Sequence, residues 1–154
     1  MIEIRCAVTP ADLEAARLLL RQYRAIPGVG ECVVGFAAEI EGLPGRYAEP
    51  EGTLLLASLN GRTAGCGAVR KLAPGVCEMK RLYVEPSARG SGLGRALAVA
   101  LIEAGRTRGY RTMRLDTLPF MQSAIALYGA LGFMQIERYD AGSPQNALYF
   151  ELAL

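Results

Sequence analysis

The sequence predicts a mixed α/β fold, with parallel and antiparallel strands in one central twisted sheet and helices on both faces. Three observations carry this. The turn signals Asn60-Gly61 and Pro74-Gly75 separate three apolar stretches, which predicts three successive antiparallel strands. A glycine-rich turn, Gly90-Ser91-Gly92-Leu93-Gly94, joins the third of these to a stretch of helical periodicity. After that helix the strand-like Arg111–Asp116 must run parallel to the third strand, because a helical crossover returns the chain in the same direction.

Taken in order, Ile2 to Val8 alternates as a first strand. Thr9 then caps a helix, with Pro10 at its first position and Asp12 in its first turn. Leu13, Ala16, Leu20 and Tyr23 form its buried stripe, and Pro27-Gly28-Val29-Gly30 ends it. A short second helical stretch over about 33–43 turns Phe36 and Ile40 inward, and a loop follows to Gly52. Thr53–Leu59, Arg62–Lys71 and Val76–Val84 are the three antiparallel strands. The helix from Gly92 runs to about Arg108, where Gly109 stops it. A further helix starts at Pro119, passes through Ala124, Leu127, Tyr128 and Leu131, and closes at Gly132. Phe133–Arg138 and Ala147–Leu152 are the last strands, joined by a loop over 140–144.

Length and composition set bounds. The 154 residues suit one domain, 1–154, with a substantial core. Hydrophobic residues make up 51% of the chain, which excludes disorder, yet no apolar run is long enough to cross a bilayer. Glu3 and Arg5 interrupt the first strand, so no secretory leader opens the chain, and a cytoplasmic place is expected. A net charge of +2 does not point to nucleic acid.

The side chains available for chemistry are few. Cys6, Cys32, Cys66 and Cys77 show no paired spacing, and three of them lie in apolar strands, so they read as small buried hydrophobes. The chain has no histidine. That removes Ser-His-Asp and Cys-His catalysis and most zinc sites, and no metal is expected. Any general base must be a carboxylate, tyrosine, lysine, cysteine or water.

The glycine-rich turn is the richest signal. Three glycines in five residues clear side chains from a helix start, where exposed N–H groups and the dipole favour an anion. Arg89 and Arg95 add charge there. The alternative is a tight turn without a ligand. A P-loop needs Gly-Lys-Ser/Thr at its end, and Gly94 is followed by Arg95 and Ala96. The spacing of Gly90, Gly92 and Gly94 is not that of a dinucleotide fingerprint either.

The arrangement that does fit is Arg89-x-x-Gly92-x-Gly94 after a Val84-x-Pro86 turn, followed at a distance by Ala126-Leu127-Tyr128-Gly129-Ala130-Leu131-Gly132-Phe133. Together, in this order, these resemble the two signatures of the GNAT superfamily of acyl-CoA N-acyltransferases. The resemblance is strong from about Leu54 to Phe133. It implies the element order β-α-α-β-β-β-α-β-α-β-β and an acetyl-CoA-dependent N-acetyltransferase that transfers directly to an amine.

The resemblance also implies roles. Glu78, eleven residues before Arg89, stands where many members keep a general base. On a central strand its carboxyl would be partly desolvated and its pKa raised, although an ion pair with Lys80 or Arg81 is the plainer role. Leu82, Tyr83 and Val84 would offer backbone groups to the pantetheine arm, the Leu82 N–H polarising the acyl carbonyl, unless they simply pair with the strand around Leu115. Arg89, Gly90, Ser91, Gly92, Leu93, Gly94 and Arg95 would hold the pyrophosphate. Tyr128 would protonate the leaving thiolate, or be a structural tyrosine. Ser123 departs from the family's usual asparagine, which weakens the cofactor contact expected there.

The acceptor is not legible. A small-molecule amine and a peptide N-terminus both remain open, and Arg46, Tyr47, Tyr139 and Asp140 lie on loops that would flank it. Homodimers are common in the family. Cys77, next to Glu78, leaves a covalent route open but disfavoured. The alternative function is a non-catalytic acyl-CoA-binding sensor or partner module.

Overall fold

The computed structural model describes residues 1–154. Its strands are β1 (Ile2–Cys6), β2 (Thr53–Leu59), β3 (Arg62–Ala73), β4 (Val76–Val84), β5 (Thr112–Thr117), β6 (Met134–Ile136) and β7 (Leu148–Ala153). Its helices are α1 (Pro10–Arg24), α2 (Phe36–Glu41), α3 (Leu93–Thr107) and α4 (Gln122–Ala130). The element order is the expected one. The strands form one sheet in the order β1-β2-β3-β4-β5-β7-β6.

Local chemistry fixes the elements. At the start of α1 the Thr9 hydroxyl accepts the Asp12 N–H at 3.1 Å, and the Asp12 carboxylate accepts the N–H groups of Val8 and Thr9 at 2.9 and 3.0 Å. These backbone bonds, then Arg5, hold the Asp12 carboxyl below the usual carboxylate range. This reciprocal cap is why β1 stops at Cys6 rather than at the expected Val8: the chain is already turning into the helix. The β2–β3 hairpin turns at Asn60 and Gly61, both at positive φ.

The sheet separates two cores. Ala16, Leu19 and Leu20 of α1 and Phe36 and Ile40 of α2 pack with Leu54, Leu56, Cys66 and Ala68 on one face. On the other, Leu93, Leu97 and Leu101 of α3 pack with Leu55, Val69, Met79, Met113 and Leu115, and Tyr128 of α4 joins them. The helix lies close to β3 because Gly67 has no side chain: a Cβ there would sit 2.6 Å from Leu101 Cδ1. Cys66 and Cys77 are fully buried as expected, Cys32 is half-buried, and Cys6 is exposed because its outward side of edge strand β1 meets solvent.

Two ends differ from expectation. The last helix begins at Gln122, since the chain after Pro119 first turns through Phe120 and Met121. The penultimate strand shrinks to Met134–Ile136, an edge paired on one side only. No helix is long and apolar enough to cross a membrane.

Two irregularities of β4 position the site. Its parallel pairing with β5 covers only Val76–Glu78 against Thr112–Arg114. Beyond Glu78 the two strands separate. In addition, Lys80 and Tyr83 oppose Ala68 and Cys66, so one β3 residue faces two of β4. This is a bulge, and Arg81 within it has a φ of 60°. A non-glycine residue in that region is held there by its surroundings. Arg81 donates to both Glu39 oxygens at 2.7 and 2.8 Å, stacks 4.5 Å over the Phe36 ring, and its carbonyl accepts from Cys66 Sγ.

Candidate active site

Where β4 and β5 part, a cavity of about 530 Å³ opens between β4 and the start of α4. Its β4 wall is Leu82, Tyr83 and Val84, and its opposite wall is Met121, Gln122, Ser123, Ala124 and Leu127. At one end lie Ala88, Arg89, Gly90 and Gly94. The backbone explains why this end is open. Gly90 has a φ of 79°, where an L side chain is strained, and no heavy atom lies within 4 Å of a Cβ built there, while Gly92, with a φ of 89°, lies off this wall with its nearest neighbour Ile2 at 3.9 Å.

The loop residues do not all serve alike. The Ser91 hydroxyl donates to the Ala88 carbonyl at 2.5 Å and accepts the Leu93 N–H at 3.3 Å, so it ties the turn together. The Leu93 side chain is core. Arg89 Nε donates to the Val84 carbonyl at 3.1 Å, which takes up an acceptor of the strand. Arg95 is exposed and outside the cavity wall. Ser123 lies on the wall, and its neighbour Gln122, which sequence reasoning missed, brings a longer amide beside it.

A second cavity, of about 270 Å³, continues from the first. Both are lined by Tyr23, Leu82, Met121 and Ala124, so they meet at the bulged end of β4. The second cavity also touches Lys80, Asp116, Thr117 and Tyr128, and reaches Arg46 and Asp140. Tyr128 lines the second cavity only, packed edge-on against Phe133 at 5.7 Å. Burial, then the nearby Tyr23 and Asp116, pushes its phenol well above the ordinary value, so it keeps its proton.

Glu78 lies differently from the sequence expectation. It is wholly enclosed and is absent from the walls of both cavities. Arg70 Nε and Nη2 each lie 2.8 Å from its Oε1, and the Tyr139 hydroxyl donates to Oε2 at 2.6 Å. Of the expected ion-pair partners, Lys80 is present at 3.7 Å, while Arg81 turns to Glu39. Arg70 was not singled out from the sequence. The turn at Pro74-Gly75 alone would set Lys71 opposite Glu78, and an irregularity between Lys71 and Ala73 shifts the β3–β4 register so that Arg70 stands there instead. Tyr139 is bound up with the same carboxylate, and burial, followed by the Glu78 charge, raises its pKa.

The carboxylate that does line the second cavity is Asp116, on β5. Lys80 Nζ lies 3.5 Å from its Oδ1, and the Ser143 hydroxyl donates to Oδ2 at 2.6 Å. Lys80 therefore stands between Asp116 and Glu78. Glu85, the other acid near the turn, pairs with Arg62 at 2.8 Å and accepts from Gln22. Cys77 is fully buried and lines neither cavity, and burial pushes its thiol up to about 12. Tyr47 is a core residue, 1% exposed. No group of three acidic or cysteine side chains gathers as a metal site would.

Comparison with known proteins matches this geometry. The sequence model of the Acetyltransferase (GNAT) family matches residues 16–133. An uncharacterized N-acetyltransferase of Schizosaccharomyces pombe is 34% identical, over 99% of this chain and 95% of its own. A GNAT-family acetyltransferase structure from Staphylococcus aureus superposes with a TM-score of 0.83 at 17% identity, covering 99% of both chains. The structure of yncA from Salmonella typhimurium with its cofactor acetyl-CoA gives 0.76 at 21% identity, over 99% of this chain and 93% of that one.

Proposed function

The chain belongs to the GNAT acetyltransferase family, and from that premise we propose that it moves an acetyl group directly from acetyl-CoA to a primary amine. The observation that carries this is the parting of β4 from β5 after Glu78, with two cavities meeting at Leu82. One cavity suits an anionic, extended donor, and the other an amine. The acetyl-CoA bound in the yncA structure supports the choice of donor.

The residues fit such a donor. Arg89 and the glycine turn Gly90–Gly94 would take the pyrophosphate, with open space where side chains would otherwise stand. Leu82, Tyr83 and Val84 would flank the pantetheine arm opposite Gln122 and Ser123. When bound, acetyl-CoA supplies the activated acyl group. The Leu82 N–H, where the two cavities meet, would polarise the acyl oxygen. Tyr128, on the wall of the second cavity, would hold a proton at its hydroxyl and give it to the departing sulfur.

An attacking amine must also lose a proton. Asp116 touches the second cavity, so it takes that proton, directly or through water. Glu78 acts behind it. By holding Arg70, Tyr139 and, at longer range, Lys80, it is a positioning residue, which revises the direct role expected of it.

Thiol release from acetyl-CoA, measured against a broad panel of amines, tests this. Steady release with at least one primary amine is expected, and it should fall by about 10²–10⁴-fold in Asp116→Asn. Coenzyme A binding with no release on any amine would leave only a binding module.

A further inference from the structure

Building on the acetyl-transfer reading, we infer that the acceptor is a free α-amino acid with an apolar side chain, its carboxylate held by Arg46. The argument begins with charge. Five charged side chains line the acceptor cavity: Arg46, Lys80, Arg81, Asp116 and Asp140. Four of them are occupied. Arg81 is spent on Glu39 through two short bonds and is only 9% exposed. Lys80 stands between Asp116 and Glu78, 11% exposed. Asp140 turns back onto its own loop, accepting from the Gly142 N–H at 2.8 Å and from Ser143 at 3.5 Å. Asp116 accepts from Ser143 and faces Lys80.

Arg46 is the exception. It makes no hydrogen bond to the protein. Its one ionic partner is Glu39 Oε1 at 3.6 Å, an oxygen that already receives Arg81 Nη2 at 2.8 Å. Its side chain is 54% exposed. A guanidinium offers five N–H donors in a planar fork that matches a carboxylate, and Arg46, held only by the long contact to Glu39, keeps those donors available on the cavity wall.

The rest of the cavity fixes the class. Asp116 and Tyr128 line this cavity alone, and Leu82, Met121 and Ala124 join it to the donor cavity, so the reacting amine belongs between the two groups. Val29, Val33, Leu118 and Met121 give the remaining wall an apolar character. An amine, a carboxylate and an apolar side chain on one small molecule describe an apolar α-amino acid. A peptide N-terminus has no carboxylate close to its amine. A polyamine would carry a second cation toward Arg46.

Two measurements test this with L-leucine, L-methionine and L-valine, each beside its carboxamide. In the first, thiol release from acetyl-CoA should show kcat/KM at least about 10-fold higher for each acid than for its amide, as suits a charge-assisted bidentate bond. Arg46→Gln should shrink this ratio to within about 3-fold, mainly by raising KM, and Arg46→Lys should restore part of it. In the second, calorimetry titrates the same amino acids into protein loaded with coenzyme A. At least one should bind, and Arg46→Gln should weaken it about 10-fold or more. Equal use of acid and amide, or indifference to Arg46→Gln, overturns the inference. So does the absence of both binding and turnover with every amino acid. Release with simple amines but none of the amino acids overturns it while acetyl transfer stands. Arg46-dependent amino-acid binding without release on any amine sustains the site and overturns acetyl transfer.

Discussion

Arg70 and Glu78 face each other directly across the β3–β4 pair, with Nε and Nη2 of the arginine each 2.8 Å from one carboxylate oxygen. The carboxylate is fully buried, while the Arg70 side chain is 15% exposed. Breaking a buried pair by removing one partner leaves an uncompensated charge. Glu78→Leu should therefore destabilise the fold by about 3–5 kcal/mol. The double variant Arg70→Leu with Glu78→Leu should regain at least half of that. Urea denaturation of the two variants beside wild type measures both, and a single variant as stable as wild type would show that the pair contributes little.

Binding of coenzyme A should stabilise the protein by about 2.7 kcal/mol at a hundred times its dissociation constant. For a chain of this size that is a rise of about 5–10 °C in Tm. The glycine turn supplies the control, and Gly94 is a better position for it than Gly92. At Gly92 a φ of 89° would strain any side chain, with or without ligand. At Gly94 an added Cβ meets only Val84 Cγ2, at 3.6 Å, an ordinary contact, and the residue lines the donor cavity. Gly94→Val should keep its own folding transition and lose most of the ligand-induced rise. A full rise in that variant would make the turn merely a turn.

Tyr128→Phe should keep the fold and the coenzyme A shift while lowering kcat by roughly 10²-fold. The ring contact with Phe133 remains, and only the proton donor is lost. The raised pKa gives a second handle. A tyrosine ordinarily titrates near about 10, and burial moves this one higher, so its proton stays on through that range. Wild-type kcat should accordingly show no fall at about pH 10 assignable to Tyr128. A pH profile up to the limit of stability, run on both proteins, checks the sign.

Most of the fold was legible because its elements are signalled locally. Thr9 and Asp12 announce the start of α1, Asn60-Gly61 the first hairpin, and Gly109 the end of the crossover helix. The glycine-turn end of the larger cavity could be located for a related reason: the loop that builds it is contiguous in sequence. What escaped depends on pairing between distant segments. That Glu78 would be closed off by Arg70 and Tyr139 needs the β3–β4 register and the fold of a loop 61 residues away. That Asp116 rather than Glu78 would line the smaller cavity needs the point at which β4 and β5 diverge. Likewise, Tyr23 looked like one more apolar position of α1, yet it touches both cavities and stacks on Tyr83 at 5.5 Å.

The extra residue at Arg81 makes β4 two half-strands written in opposite phase. Before it, Cys77 and Met79 point to the α3 side; after it, Leu82 and Val84 do, while Tyr83 joins the α1 side. Odd positions and even positions exchange faces in mid-strand. Deleting Arg81 would restore a regular alternation with Leu82 and Val84 still toward α3 and Tyr83 still toward α1, so what would be lost is the bulge and the Arg81 contacts with Glu39 and Phe36. The inserted residue is thus a spacer that lets Arg81 reach Glu39 and Phe36 while both cores keep their β4 partners.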